Sequence, residues 1–331
     1  MIRAADEEAS GLEPLKAQIL QGDAFDLIDQ IPPQSVDLIL TSPPYWGLRS
    51  YGLDHDDTVV EKWEAAGCST DRVPPYDWYR TSGGQLGREA FPHWYAEHLV
   101  EFFAKAAKVL KTSGNVWLNL GDTYFARWSS IRDDGRQGLI ENRLRRRTPS
   151  GGYLHDKQLL LIPARCAIAL QDHGWILRND LIWAKPHPLP RPEKDRLRLS
   201  HEHWFHFVRR NSGNRPRYYY DIEACEPGNR DVVTVNTLSH KNGHSAAFPG
   251  ELIQPRILSS CPPGGLVLDP FSGTGTVVTE ALRLGRRAIG FEKNVKYAED
   301  AARCISGEDS SPIDGTEEST EFATNGSEHE W

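Results

Sequence analysis

Short apolar runs, each closed by turn residues, alternate along this chain with stretches of helical period. The runs are AQILQG (17–22), VDLILT (36–41), NVWLNLGD (115–122), WILRNDLIWAKP (175–186), HEHWFHFVRR (201–210), GLVLDPF (265–271) and RRAIGFEKN (286–294). Several are continuously apolar rather than alternating, which is the pattern of strands buried on both faces of a sheet. Helical stretches lie between them at 24–30, 93–114, 156–174 with Pro163 near its first turn or at a kink, 248–261, 272–285 and 295–305. Helix and buried strand in alternation predict an α/β fold with a doubly wound, mainly parallel sheet. The 331 residues, 39% of them apolar, suffice for one large domain with insertions or for two small ones, and no internal repeat divides them.

Two segments break the alternation. Residues 46–90 are rich in Gly, Pro, Tyr and Trp without clear periodicity, and residues 123–155 are polar and rich in arginine. Both are too long for ordinary connections and read as functional insertions. Residues 211–245 read as irregular. Residues 1–14 are acidic and polar, a flexible terminus rather than a signal peptide. No run of 18 apolar residues is present, so no membrane span is expected. The five cysteines are scattered and never in CxxC spacing, which argues against a metal site or a disulfide framework and suits a reducing cytoplasm. The formal net charge of −8 is carried by residues 306–331, which hold eight acids and no Lys or Arg and read as a disordered acidic tail. In the near-neutral body, bases cluster at 136–149, 185–198 and 209–220. Such runs suit a nucleic-acid surface, although an arginine run alone serves equally as a solvated face.

LVLDPFSGTGTVVTEAL is a strand, a glycine-rich turn and a helix. Gly273 and Gly275 allow a ligand close to the backbone, and the helix start offers free N–H groups. The pattern is not a phosphate loop, since no Gly-Lys-Ser/Thr occurs, and Val278 stands where a dinucleotide fingerprint needs its third glycine. A glycine pair alone is as readily a structural turn. Glu292, ending the next strand, is placed to accept from both hydroxyls of a ribose. Asp269, ending its own strand, can hold an amino group or a loop amide. Together they suit a cationic amino-acid nucleoside.

The ordered set of motifs resembles the DNA amino-methyltransferases that use S-adenosylmethionine. The motifs are Thr-Ser-Pro-Pro-Tyr (41–45) and Asp-Pro-Phe-Ser-Gly-Thr-Gly-Thr (269–276), joined by Gly22-Asp23, the helix-Lys-Thr-Ser-Gly-strand of 99–120, Leu-Ile-Trp-Ala-Lys-Pro (181–186), 244–252 and Gly290-Phe-Glu292. The catalytic motif precedes the cofactor motif, as in the β group of that family, a circular permutation of the usual methyltransferase order. The resemblance covers most of 17–305 apart from the insertions, so the catalytic domain is taken as 15–305. It implies a Rossmann-like fold with a cofactor pocket lined by Asp269, Phe271, Gly273, Gly275 and Thr276. Glu292 would hold the ribose and Asp23 the adenine amine. The segment from His244 through Phe248 to Leu252 would lie near the methionine end, although a capped helix start and a core ring explain His244 and Phe248 equally well.

The tetrapeptide at 42–45 suits methylation of an exocyclic amine. The lone pair of such a nitrogen is delocalised into its ring, and two acceptors fixed on its hydrogens favour the tetrahedral geometry of attack. Ser42 Oγ can be one acceptor and the Pro43 carbonyl the other. Pro43 and Pro44 fix φ and remove competing donors. Tyr45 offers a face for the base, and Trp46 either extends the stack or packs. A base inside a duplex must be flipped out to reach the site. Methylation at cytosine carbon 5 is not expected, since Cys261 precedes its prolines instead of following one. In the resembling family Ser at this position goes mainly with cytosine N4, and Asp or Asn mainly with adenine N6, so Ser42 favours cytosine N4 over the adenine-N6 alternative.

The resemblance implies double-stranded DNA as substrate, with a cognate restriction endonuclease or as an orphan modification enzyme, and a monomer or homodimer. Target recognition is expected from 46–90, 123–155 and 186–235, with Arg143, Arg145, Arg146 and Arg147 as phosphate contacts. A nucleotide-binding oxidoreductase would leave Thr-Ser-Pro-Pro-Tyr without a use. A non-catalytic DNA-binding module would have no use for the cofactor loop.

Overall fold

The computed structural model describes residues 16–47, 53–125, 152–188, 194–210, 215–225, 230–237 and 248–306, and the backbone alone at 128–129 and 144–145. The first half holds β1 (Ala17–Gln21), α1 (Ala24–Leu27), β2 (Val36–Thr41), α2 (Val59–Ala65), α3 (Tyr76–Thr81), α4 (Pro92–Val109), β3 (Leu110–Leu120), and the short antiparallel pair β4 (Trp128–Ser129) and β5 (Leu144–Arg145). The second holds α5 (Ile162–Asp172), β6 (Trp175–Ala184), β7 (His201–Arg209), β8 (Val232–Thr234), α6 (Gly250–Ser260), β9 (Leu266–Asp269), α7 (Thr276–Arg283), β10 (Arg287–Glu292) and α8 (Val295–Ser306).

Eight strands make one sheet in the order β1-β10-β9-β2-β3-β7-β6-β8. Every neighbouring pair is parallel except the two that involve β7. The mainly parallel α/β sheet expected from the sequence is therefore what the chain forms. β2 lies near its middle, with all six residues buried. Ile39 faces the core under α1, α4 and α5, with Phe25, Trp94, Phe102 and Cys166. Leu38 and Leu40 face the second core under α6 and α7, with Ile253, Ile257, Val277 and Val278. Burial on both faces is why VDLILT reads as an unbroken apolar run.

Four boundaries or elements differ from the sequence reading. The helix expected over 93–114 ends at Val109, and Leu110 already pairs with Val36. The amides of Gln34 and Ser35 bond the carbonyls of Lys108 (3.1 Å) and Val109 (2.9 Å), satisfying the last turn from outside. Lys111 then pairs with the buried Asp37, 2.8 Å from each oxygen. The helix expected from 156 starts at Ile162, with Pro163 in its first turn. Residues before it run beside the chain after β3, with Leu160 N bonding Thr123 O at 3.0 Å and Phe125 N bonding Gln158 O at 2.8 Å. A short strand, β8, lies inside the region read as irregular.

The largest difference is the insertion at 46–90. Its described part is a compact cap on α1 and α4, with Trp63, Tyr76 and Tyr79 in the core. The Tyr76 ring stacks on Phe25 at 3.7 Å and 20°. Arg80 of α3 reaches Asp26 of α1 through two bonds of 2.6 and 2.7 Å. Its helices have seven and six residues, too few for helical period to stand out among turn residues. Among the described residues no helix is long and apolar enough to cross a membrane. Nor does any group of three or more His, Cys, Asp or Glu there have an arrangement that could hold a metal ion.

Candidate active site

β10, β9 and β2 are adjacent and parallel, so their carboxyl ends open on one side of the sheet, where ligands of doubly wound folds bind. They deliver Glu292, Asp269 and Thr41-Ser42 to one place. Asp269 is 3% exposed. Its Oδ1 accepts from Thr41 Oγ1 at 2.6 Å and from the Phe271 amide at 3.1 Å. The first bond ties the strand carrying the Ser-Pro-Pro-Tyr stretch to the glycine loop. Glu292 Oε2 accepts from the Gly273 amide at 2.9 Å, and Oε1 from the Asn294 amide at 2.7 Å. Each carboxylate oxygen keeps a second lone pair, so Glu292 can still accept from two hydroxyls.

The loop between them is open toward ligand. A Cβ added at Gly273 would meet nothing within 4 Å. Gly275, at φ +82°, caps α7, and Thr276 is that helix's first residue and buried. Phe271 is half-buried, its ring tilted on Phe102 at 5.3 Å. Asp23 caps α1: Oδ1 accepts from the Phe25 amide at 3.0 Å and Oδ2 from Lys293 Nζ at 3.0 Å.

The electrostatics favour a cationic ligand. Burial pushes Asp269 up to about 7, more than the bonds from Thr41 and Phe271 pull it down, and the charge of Glu292 adds to the rise. Burial also raises Glu292 above the usual carboxylate range. A buried and a half-buried carboxylate raised together mark a site short of positive charge, which a bound cation would relieve. Hydroxyl acceptors, a half-buried aromatic face and this deficit fit the S-adenosylmethionine expected from the sequence.

Ser42 follows β2 and is half-buried; Pro43 is buried, and Pro44 and Tyr45 are half-buried. The Tyr45 hydroxyl proton has two acceptors in reach, Asn119 Oδ1 on β3 and Glu202 Oε2 on β7 at 2.8 Å. Lys185 Nζ in turn holds Glu202 Oε1 and lies 4.3 Å over the Trp183 ring. Gly121 makes the space for this ring, since a Cβ there would lie 2.8 Å from Tyr45 Cε2. Thr41, Asn119, Lys185 and Glu202 were not among the site residues read from the sequence. Asn119 and Glu202 lie 74 and 157 positions from Tyr45, so no local spacing marks them.

Three expectations need correction or fall elsewhere. Trp46 is 1% exposed and donates from Nε1 to the Glu89 carbonyl at 2.9 Å, so it packs in the core and offers no face to DNA. Phe248 is buried with its ring tilted on Trp204 at 5.0 Å, which is the core-ring role. Arg143, Arg146, Arg147 and His244 lie outside the described residues, and Arg145 is described only as backbone of β5.

The sequence profile of the DNA methylase family matches residues 36–303, which include both the Ser-Pro-Pro-Tyr stretch and the glycine loop. Type II methyltransferase M.Cfr9I of Citrobacter freundii is 36% identical over 313 residues, covering 91% of this chain and 92% of that protein. Type II methyltransferase M.SmaI of Serratia marcescens is 34% identical over 293 residues, covering 85% and 88%. Among solved structures, the PvuII DNA methyltransferase (cytosine-N4-specific) superposes with a TM-score of 0.61 at 19% identity over 91% of this chain and 88% of that one, a likeness of fold. With the family profile spanning both motifs and relatives matching along nearly their whole length, this chain belongs to the DNA methylase family.

Proposed function

We propose that this protein is a type II modification enzyme that methylates the exocyclic N4 amine of a flipped-out cytosine in double-stranded DNA. S-adenosylmethionine supplies an electrophilic methyl group on a sulfonium. Glu292 holds the ribose, and the glycine loop leaves room for the amino-acid end. Ser42 Oγ and the Pro43 carbonyl accept the two amine hydrogens and favour the tetrahedral nitrogen of the transition state. Tyr45 presents a ring face to the base, its hydroxyl anchored by Asn119 and Glu202. Residues 46–90, 123–155 and 186–235 supply target recognition, with Arg143, Arg145, Arg146 and Arg147 on phosphates. The relatives' type II names support a cognate restriction endonuclease as partner.

One observation carries the reading. The Thr41–Asp269 bond of 2.6 Å supports it, because it ties the residue before Ser42, a short uncharged acceptor, to the residue that leads into the glycine loop. The deciding measurement is mass spectrometry of nucleosides from DNA treated with the purified protein and S-adenosylmethionine. N4-methylcytosine is expected; N6-methyladenine would overturn the base assignment while keeping the amine chemistry. Ser42→Ala is expected to slow methyl transfer by ~10²–10³-fold, the scale of losing one preorganised polar group, and to leave cofactor affinity near wild type. Wild-type transfer in that variant would remove Ser42 from the mechanism.

A further inference from the structure

Pro43 and Pro44 have no N–H, so the catalytic stretch cannot be held by its own backbone donors at those positions. Its placement must come from contacts made by other segments. Beside the bonds of Thr41 to Asp269 and of Tyr45 to Asn119 and Glu202, the cap provides a set of them. Gly87, at φ +85°, lies so close to Pro44 that a Cβ there would sit 2.8 Å from the Pro44 oxygen, 3.1 Å from its Cβ and 3.2 Å from its carbonyl carbon. The Gly47 amide donates to the Gly87 carbonyl at 2.7 Å. The strap at 85–89 therefore grips both sides of Tyr45.

A single carboxylate organises the strap. Glu89 is 3% exposed, and its Oε2 accepts from the Gly87 amide at 2.8 Å. Its Oε1 lies 2.9 Å from His98 Nδ1 on α4, and His98 Nε2 lies 3.0 Å from the Pro74 carbonyl ahead of α3. The Glu89 carbonyl accepts from Trp46 Nε1, one residue past Tyr45. His98 is fully buried and packs between Tyr76 and Tyr79 at 5.2 and 4.8 Å. A rigid core helix thus sets the strap, and the strap sets the prolines.

We propose that Glu89 is a positioning residue for methyl transfer: through Gly87 and Trp46 it fixes the Pro43 carbonyl and the Tyr45 ring in their reactive placement. This rests on the role given above to Ser42 and Pro43. An error of 1 Å in such an acceptor costs on the order of 10²-fold in rate. The test compares E89A, E89Q and G87A with wild type by single-turnover methyl transfer, cofactor Kd and unfolding midpoint. E89A is expected to lose on the order of 10²-fold in transfer rate with cofactor Kd unchanged. E89Q is expected to recover most of it. Its carbonyl can accept from Gly87, and its amide can donate to His98 Nδ1 while His98 donates from Nε2 to Pro74. G87A leaves Glu89 and His98 intact and presses directly on Pro44, so it should lose transfer rate while still binding cofactor. It decides the matter even where E89A does not fold. A cofactor-binding G87A that transfers methyl at the wild-type rate overturns the positioning role alone. A wild-type protein that methylates no DNA overturns the reading of the site and the positioning role with it.

Discussion

Asp269 ends a buried strand, bonds a neighbouring strand and a loop amide, and has no cation among the partners that shift it. Burial therefore wins, and its carboxyl is pushed up to about 7. An aspartate in the unfolded chain titrates near about 4. Between about pH 4 and about pH 7 the folded protein keeps a proton that the unfolded chain has released, so the Asp269 contribution to stability falls as pH rises through that window. Asp269→Asn keeps the acceptor for Thr41 and Phe271 and removes the titration. Without cofactor, its unfolding midpoint relative to wild type is expected to be several degrees more favourable at pH 8 than at pH 5, by thermal denaturation. A midpoint difference that does not change between pH 5 and pH 8 would show that Asp269 is charged throughout in the fold. Asp269 and Glu292 were legible in the sequence because strand ends carry them and the glycine loop lies between. Trp46 was not, because a ring beside a catalytic stretch has the same letters whether it faces base or core. Packing against residues distant in sequence, with a bond to the Glu89 carbonyl 43 positions on, makes it a core residue.

At the scale of elements, the sequence resolves what is long and doubly buried. β2 and the strand-loop-helix at 266–283 stand where the apolar runs and glycines place them. α4 ends before the point its helical period predicts, because its last carbonyls are satisfied by Gln34 and Ser35, about 74 residues earlier, and no local stop signal records that. The cap was missed for a related reason: its short helices depend on tertiary packing rather than on their own periodicity. That dependence can be measured. Tyr76 is 2% exposed, stacked on Phe25 of α1 and set edge-on to His98 of α4. Tyr76→Ala should cost about 3–5 kcal/mol in a denaturant titration, the range for truncating a large buried ring. A loss below about 1 kcal/mol, as for an exposed loop residue, would mean that the cap is not part of the folded core.

At the scale of the whole molecule, charge is divided along the chain. Residues 307–331 carry eight acidic residues and neither Lys nor Arg, so without them the formal net charge moves from −8 to zero. None of the residues that build the candidate site lies there, and the family match ends at residue 303. A polyanion approaching the protein meets the summed field before it meets any contact. At ~0.01 M salt that field reaches about 30 Å, and at ~0.15 M only about 8 Å. Deleting 307–331 is therefore expected to speed association with duplex DNA at low salt, with the gain disappearing near physiological salt. Turnover at saturating DNA should equal that of the full chain at either salt. Stopped-flow association and steady-state methyl transfer on one DNA substrate read the two quantities separately. Faster association with unchanged turnover assigns the acidic segment a long-range electrostatic role alone. Lost turnover at saturating DNA would instead make the segment part of the catalytic machinery, acting through contacts and not through its field.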